Sequence, residues 1–362
     1  VNNDDKIPND AQAARPDVDR GVLAVGAVGV AAAGIGLFAA QRRARRFQLR
    51  DKNVLITGGS RGLGLALARE FGGQGAHIAI CARDPEELQA ARDQLATHKI
   101  DAFTTTCDIS DEASVQRMVA EVQARFGAID VLVNNAGIIA AGPYEAQNLD
   151  DFKKVMATNF WGPVYVTTAV LPQMRTRGSG RIVNIASIGG KVSVPHLLPY
   201  SCAKFALTGY SEGIHAELGQ AGITVTTVAP GLMRTGSYRN VTIKGQHKVE
   251  YALFSVLDSL PFASIDVQRA AHQIVNATRR GDAELIITIS AQLAAKAAAL
   301  FPNLTAAVLQ ATARVLPDAG GPEGYQPKQG YESETPITQS VLTANNQHAA
   351  REYNEDLHHP QP

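Results

Sequence analysis

Residues 53–64 read Asn-Val-Leu-Ile-Thr-Gly-Gly-Ser-Arg-Gly-Leu-Gly, and they leave the chain few folds to choose from. Val54, Leu55 and Ile56 form an apolar run suited to a buried parallel strand, residues 57–64 carry four glycines, and residues 65–71 resume with helical spacing. A strand, a tight turn and a helix start leave the free N–H groups of the helix facing whatever lies beyond the strand, which suits an anion. In that geometry Gly58 lets the chain leave the strand, Gly62 lets backbone approach a pyrophosphate, and Gly64 lets helix pack on strand. A turn that gathered glycine for steric reasons alone is the competing explanation, so the rest of the chain has to decide.

Downstream, short apolar runs alternate with helical patterns: residues 77–81, 103–107, 129–133, 180–185, 223–228 and 284–289 predict further strands. Such alternation implies an α/β fold, a doubly wound parallel sheet of about seven strands with ligands at the strands' carboxyl ends. A length of 362 residues suits one large domain with extensions. With 34 basic and 34 acidic residues the chain lacks the basic excess of a general nucleic-acid binder. Cys81, Cys107 and Cys202 are widely spaced with no His or Cys at ligand spacing, which suggests neither a disulfide framework nor a zinc site and fits a reducing compartment.

The ends differ from the middle. Residues 1–20 are polar and read as a disordered leader. Residues 21–40 hold no charged or polar side chain, and at about 1.5 Å per helical residue such a run reaches about 30 Å, the depth of a bilayer core. Arg42, Arg43, Arg45, Arg46 and Arg50 follow in a basic juxtamembrane segment, residues 41–50, which the positive-inside rule places on the cytoplasmic side with the large domain. A transmembrane anchor is the expectation; a cleaved signal peptide or a soluble Ala/Gly-rich helix, and hence a soluble cytoplasmic protein, are the alternatives. Residues 291–317 are rich in Ala and Leu and predict one or two amphipathic helices broken near Pro302, packed on the core or a partner subunit. Residues 318–362, rich in Gly, Pro, Gln, Asn and Glu, predict a mobile tail whose His358 and His359 are a surface pair rather than a metal site.

Over roughly residues 51–290 the chain resembles the short-chain dehydrogenase/reductase superfamily. The resemblance rests on Thr57-Gly58-x-x-x-Gly62-x-Gly64, Asn134-Asn135-Ala136-Gly137, Asn159, Ser187, Tyr200-x-x-x-Lys204 and Pro230-Gly231, in the family's order and at about its spacings. It implies a single Rossmann-type NAD(P)-binding domain that oxidises or reduces an alcohol or carbonyl carbon. It further implies a catalytic set of Asn159, Ser187, Tyr200 and Lys204, with Asn159 holding a water that links Lys204 to solvent. The cofactor contacts it implies are Gly58, Ser60, Arg61, Gly62, Leu63 and Gly64 in the turn, Arg83, Asp108 and Ile109, the run Asn135, Ala136 and Gly137, then Tyr200, Lys204, Pro230, Gly231 and Thr235. Asn134 and Gly137 would shape the nicotinamide side. Asp108 would accept from the adenine amino group, an N-cap role being its rival.

The residue chemistry agrees. Hydride transfer to a ketone leaves an alkoxide that needs a proton donor within hydrogen-bond reach, and Tyr200 can be that donor. A phenol's ordinary pKa of about 10 is high for proton exchange near neutrality, and a cation one helical turn along, Lys204, would lower it. Ser187 can donate to the developing oxyanion.

An NAD enzyme of this fold places an acid at the end of the second strand, but Ala82 and Arg83 stand there, and Arg61 sits in the turn. Two guanidinium groups could grip a 2′-phosphate, so NADP(H) is favoured over NAD(H), with Asp84 as a complication. The lid that the resemblance puts at about residues 233–264 carries Met233, Tyr238, Tyr251, Leu253, Phe254, Val256, Leu257, Leu260 and Phe262, and Val192, Val194, Pro195, Leu197 and Leu198 add an apolar wall. The expected partner is thus a small lipophilic carbonyl or alcohol, with no nucleic acid, a membrane through the N-terminal segment and a possible homo-oligomer. The rival functions are a non-catalytic NADP-binding redox sensor or membrane scaffold, and an NAD-dependent alcohol dehydrogenase of a polar metabolite.

Overall fold

The computed structural model describes residues 46–259, 264–340 and 343–357. The expected leader and anchor, most of the basic segment, Leu260, Phe262, His358 and His359 lie outside the described residues.

Seven parallel strands form the central sheet: β1 (Asn53–Thr57), β2 (His77–Ala82), β3 (Ala102–Thr106), β4 (Val131–Asn134), β5 (Gly180–Ile185), β6 (Ile223–Pro230) and β7 (Glu284–Ile287). Their order is β7-β6-β5-β4-β1-β2-β3, so the sequence reverses direction between β1 and β4, the switch point where such sheets open a crevice. Successive side chains point to opposite faces. Val54 and Ile56 accordingly pack under α1 (Gly62–Gly73) and a later helix, residues 267–280, whereas Leu55 packs with Val115, Met118 and Val166 in a second core on the other face.

The crossover helices start where the sequence can satisfy their free N–H groups. Asp84 caps α2 (Pro85–Thr97) by accepting from Glu86 N at 2.8 Å, and Asp111 caps α3 (Glu112–Phe126) by accepting from Ala113 N at 3.1 Å. Next come α4 (Leu149–Met156), a π-helical turn at Ala157–Trp161, α5 (Gly162–Arg177), α6 (Leu198–Leu218), α7 (His247–Ser259) and α8 (Val267–Arg280). β7 is shorter than the expected 284–289 because Thr288, at φ 80°, turns the chain and caps α9 (Ile289–Leu300).

Of two C-terminal regions, one meets its expectation in part and the other departs from it. α9 and α10 (Pro302–Ala313) break at Phe301 as anticipated, but their apolar side chains point outward: Ile289, Leu293, Leu300, Phe301, Leu304 and Val308 are all more than half exposed. The segment expected to be a mobile tail is instead docked in its described part. Lys328–Gln329 pairs antiparallel with Thr242–Ile243, and α11 (Ala344–Glu352) buries Ala349 and Ala350. Its polar composition misleads because several of its polar groups meet fixed partners. Asn346 Oδ1 accepts from Gly236 N at 3.2 Å, Gln94 Nε2 donates to the Glu352 carbonyl at 2.6 Å, and the Arg69 guanidinium lies 4.8 Å from the centre of the buried Tyr353 ring. Among the described residues no helix is long and apolar enough to cross a membrane.

Candidate active site

The carboxyl ends of the strands open into a cleft of about 710 Å³, within the usual range for a small-molecule site. It runs from Arg83, Asp108 and Ile109 at one end to Ser187, Tyr200 and Lys204 at the other, with Leu63, Asn135, Ala136 and Gly137 between. Pro230, Gly231 and Thr235 close one side.

At the catalytic end, Ser187 follows β5 and caps the turn Ile188–Gly190, its hydroxyl accepting from Gly189 N at 3.0 Å. Tyr200 and Lys204 come from the first turns of α6, four residues apart and so on one face. The Lys204 ammonium donates to the Ile185 carbonyl at 2.7 Å and lies 5.6 Å from the centre of the Tyr200 ring. Burial lowers Lys204 to about 8. Burial also pushes the Tyr200 phenol up, a hydrogen bond with Ser187 pulls it part of the way back, and the Asp258 carboxylate adds to the rise. The expected lowering of the phenol by Lys204 is therefore not what this arrangement produces: desolvation dominates and the phenol keeps its proton at neutral pH. A protonated Tyr200 is the form that can give a proton to a nascent alkoxide.

Asn159 lies in the π-helical turn, a widening often found at functional sites, and is fully buried. Its Oδ1 accepts from Ile138 N and its Nδ2 donates to the Ile138 carbonyl, both at 2.8 Å. The side chain thus clamps the wall after Gly137 and is already committed to protein partners.

The two asparagines after β4 serve opposite faces. Asn135 Nδ2 donates to the carbonyls of Thr57 and Gly58, each at 3.0 Å, while the Thr57 hydroxyl accepts from Asn135 N and Ala136 N, locking the glycine turn to the β4 loop. Asn134 points away from the cleft. Its Nδ2 donates to Thr167 Oγ1 and Asn184 Oδ1, and Asn184 Nδ2 donates to Ser211 Oγ, so Asn134 belongs to a buried network under the sheet rather than to the nicotinamide wall. The turn itself is tight. A Cβ on Gly64 would stand 2.0 Å from the Gly58 carbonyl oxygen, and one on Gly58, at φ 63°, would stand 2.8 Å from Ala136 Cα.

The other end differs most from the sequence reading. Arg83 is exposed at the rim, but Arg61 is engaged: its Nη1 donates to Glu87 Oε1 at 2.9 Å and its Nε lies 3.5 Å from Glu355 Oε2. Ser60 Oγ also donates to Glu87, at 2.8 Å. Asp108 is not an N-cap, since Asp111 holds that place; its Oδ1 accepts from Ser110 N and Ser110 Oγ. Burial alone would raise the Asp108 carboxyl, but the Ser110 bonds and the Arg83 charge outweigh it and hold the group below the ordinary range. Asp84 caps α2 and also lines the cleft beside Arg83.

Of the expected lid residues, Met233 lines the cleft. Tyr238 and Tyr251 do not: their rings pack tilted at 43° with centres 5.4 Å apart inside a small core with Val241 and Ile243. Leu257 faces solvent. Sequence reasoning missed Glu87, Asn240 and Glu355 around Arg61 and Asp258, whose charge acts on Tyr200. Asp258 is a buried carboxyl that desolvation raises to about 7. An acid inside the apolar run of α7 is the signal that could have marked Asp258; nothing local marks Glu355.

The model of the short chain dehydrogenase family matches residues 52–245. Dehydrogenase/reductase SDR family member 7B of Danio rerio is 36% identical over 263 residues, 71% of this chain and 82% of that protein. A gluconate 5-dehydrogenase from Burkholderia cenocepacia in complex with NADP and tartrate aligns at TM-score 0.61 and 30% identity, covering 69% of this chain and 98% of its own. Actinorhodin polyketide ketoreductase with NADPH aligns at TM-score 0.59 and 31% identity, covering 66% and 96%.

Proposed function

The chain belongs to the short-chain dehydrogenase/reductase family, and from that premise we propose that it reduces the carbonyl of a lipophilic small molecule with NADPH, or oxidises the corresponding alcohol with NADP⁺. The observation that carries the reading is the convergence of Ser187, Tyr200 and Lys204 at one end of an open cleft whose other end carries Arg83.

NADPH supplies the hydride. The glycine turn, held by Asn135, would hold the cofactor's pyrophosphate on bare backbone, and Arg83 would hold its 2′-phosphate where an NAD enzyme would carry an acid. The solved neighbours that hold NADP and NADPH support this choice. As hydride reaches the carbonyl carbon, Ser187 donates a hydrogen bond to the oxygen and Tyr200 Oη gives it the proton. Lys204, anchored to Ile185, keeps positive charge beside the phenolate that remains. Met233, Ile138 and Ile139, which line the cleft, suit a substrate with little charge.

The apolar run at residues 21–40 supports a membrane tie, with the catalytic domain in the cytoplasm. The outward-facing apolar side chains of α9 and α10 are consistent with it. Carbonate washing of a membrane fraction is expected to leave the protein in the pellet; its release would sink the membrane tie.

NADPH oxidation against lipophilic carbonyls of graded size, run beside Tyr200→Phe, tests the main reading. Turnover that collapses in the variant while NADPH still binds is the expected result. Equal turnover by both proteins would remove Tyr200 from the mechanism, and efficiency with NADH matching that with NADPH would overturn the cofactor assignment.

A further inference from the structure

We propose that residues 353–356 at the C-terminal end are a built-in competitor of the dinucleotide, with the Glu355 carboxylate standing where a cofactor phosphate must come. The proposal rests on the reading that the cleft binds NADP(H).

Three observations carry it. First, the N–H of Gly62, the opening residue of α1, donates to the Tyr353 carbonyl at 2.8 Å. That donor belongs to the end of the helix where the dipole and the free N–H groups favour an anion, and the C-terminal segment already uses it. Second, Glu355 Oε1 lies against Gly62: a Cβ built on that glycine would stand 2.4 Å from it. The space that glycine leaves for a phosphate therefore holds a carboxylate. Third, Arg61, which the sequence assigns to the cofactor, is held between Glu87 and Glu355. Its charge is spent inside the protein until one of them leaves.

The segment is fitted to this place. Asn240 Nδ2 donates to Glu355 Oε2 at 2.6 Å, Asn354 Nδ2 donates to the Ser60 carbonyl at 3.3 Å, and Glu355 is only 4% exposed. A carboxylate and a phosphate oxygen are both anionic acceptors, so they cannot share the Gly62 corner without severe repulsion. Cofactor binding then requires departure of the segment, and the measured affinity is the intrinsic one reduced by the fraction of open molecules.

Burial raises the Glu355 carboxyl to about 7; Arg61 and Asn240 act against the rise, and Glu87 and Asp356 add to it. Those are the charged and titratable groups facing it, from the turn, from α2 and from its own segment. Because the carboxyl is raised to about 7 in its docked place, protonation favours docking, so the segment competes more strongly below pH 7 than above it.

The test measures NADPH binding by isothermal titration for the full chain and for Glu355→Ala, which removes the contacts to Arg61 and Asn240, at pH 6 and pH 8. The variant should bind about tenfold more tightly at pH 6, with the gap narrowing at pH 8. Equal or weaker binding by the variant at pH 6 would overturn the proposal while leaving the cofactor reading intact, because both proteins would still bind. Failure of both to bind NADPH would overturn the cofactor reading and the proposal with it. Trypsin provides a second measurement on the wild-type chain, independent of how the variant folds. NADPH should speed cleavage after Arg351, exposed in α11, and protection of that bond would count against displacement.

Discussion

The two ends of the cleft are built in opposite ways. At the catalytic end Tyr200 and Lys204 share one helix, Ser187 caps the turn after β5, and Lys204 reaches the last residue of β5. At the phosphate end Arg61 is held by Glu87 and by Glu355, the latter nearly three hundred positions away in sequence. Local helix geometry assembles the first; docking of a distant segment decides the state of the second. The catalytic side chains are therefore held by the sheet and one helix, whereas under the proposal above the Arg61 corner takes an anion only when Glu355 leaves.

Four measurements break or sharpen that contrast. Tyr200→Phe should lower kcat by about a thousandfold, the scale of a lost general acid, while leaving NADPH affinity within about twofold. A parallel loss of affinity would mean that the two ends are not separable. Gly64→Ala should damage both ends, because its Cβ would fall 2.0 Å from the Gly58 carbonyl oxygen and force the turn off the β4 loop. A cost of about 3 kcal/mol in denaturant unfolding is expected.

The third concerns stability and pH at the phosphate end. Glu355, buried and raised to about 7, takes up protons on folding, so its contribution is full below the unfolded carboxyl pKa and is lost as pH rises through about 7. Glu355→Gln should therefore be roughly 1–3 kcal/mol more stable than wild type at pH 8 and level with it below pH 5, read from denaturation midpoints. Identical pH profiles would show that Arg61 and Asn240 fully compensate the buried charge. Last, Arg83→Ala should raise KM for NADPH about tenfold and leave KM for NADH unchanged, the discrimination expected of one charged contact to a 2′-phosphate. A similar rise for both cofactors would give Arg83 a structural role.

Legibility followed the same divide. The strands announced themselves through runs such as Val54, Leu55 and Ile56, and the helix starts through Asp84 and Asp111, since capping and burial are set by near neighbours. The catalytic side chains were legible for a related reason: a tyrosine and a lysine four apart on a helix meet the same cleft whatever surrounds them. Asn134 and Asn135 were not separable by sequence, because adjacent residues leaving a strand face opposite sides and only the register of β4 against β1 and β5 shows which enters the cleft. Tyr238 and Tyr251 looked like lid residues and became a core, because each completes the other's burial. The polar C-terminal stretch looked mobile because composition counts apolar area and cannot see a hydrogen bond to Gly236 or a ring laid on Arg69.

By itself, then, the sequence determined the doubly wound sheet, the glycine turn and the Ser187, Tyr200 and Lys204 arrangement, all of which follow from periodicities and spacings within a few turns of chain. Only the tertiary structure decided the protonation of Tyr200, the partners of Arg61 and the place of Glu355. Those depend on desolvation and on charges brought together across the fold, and neither has a local signature in the chain.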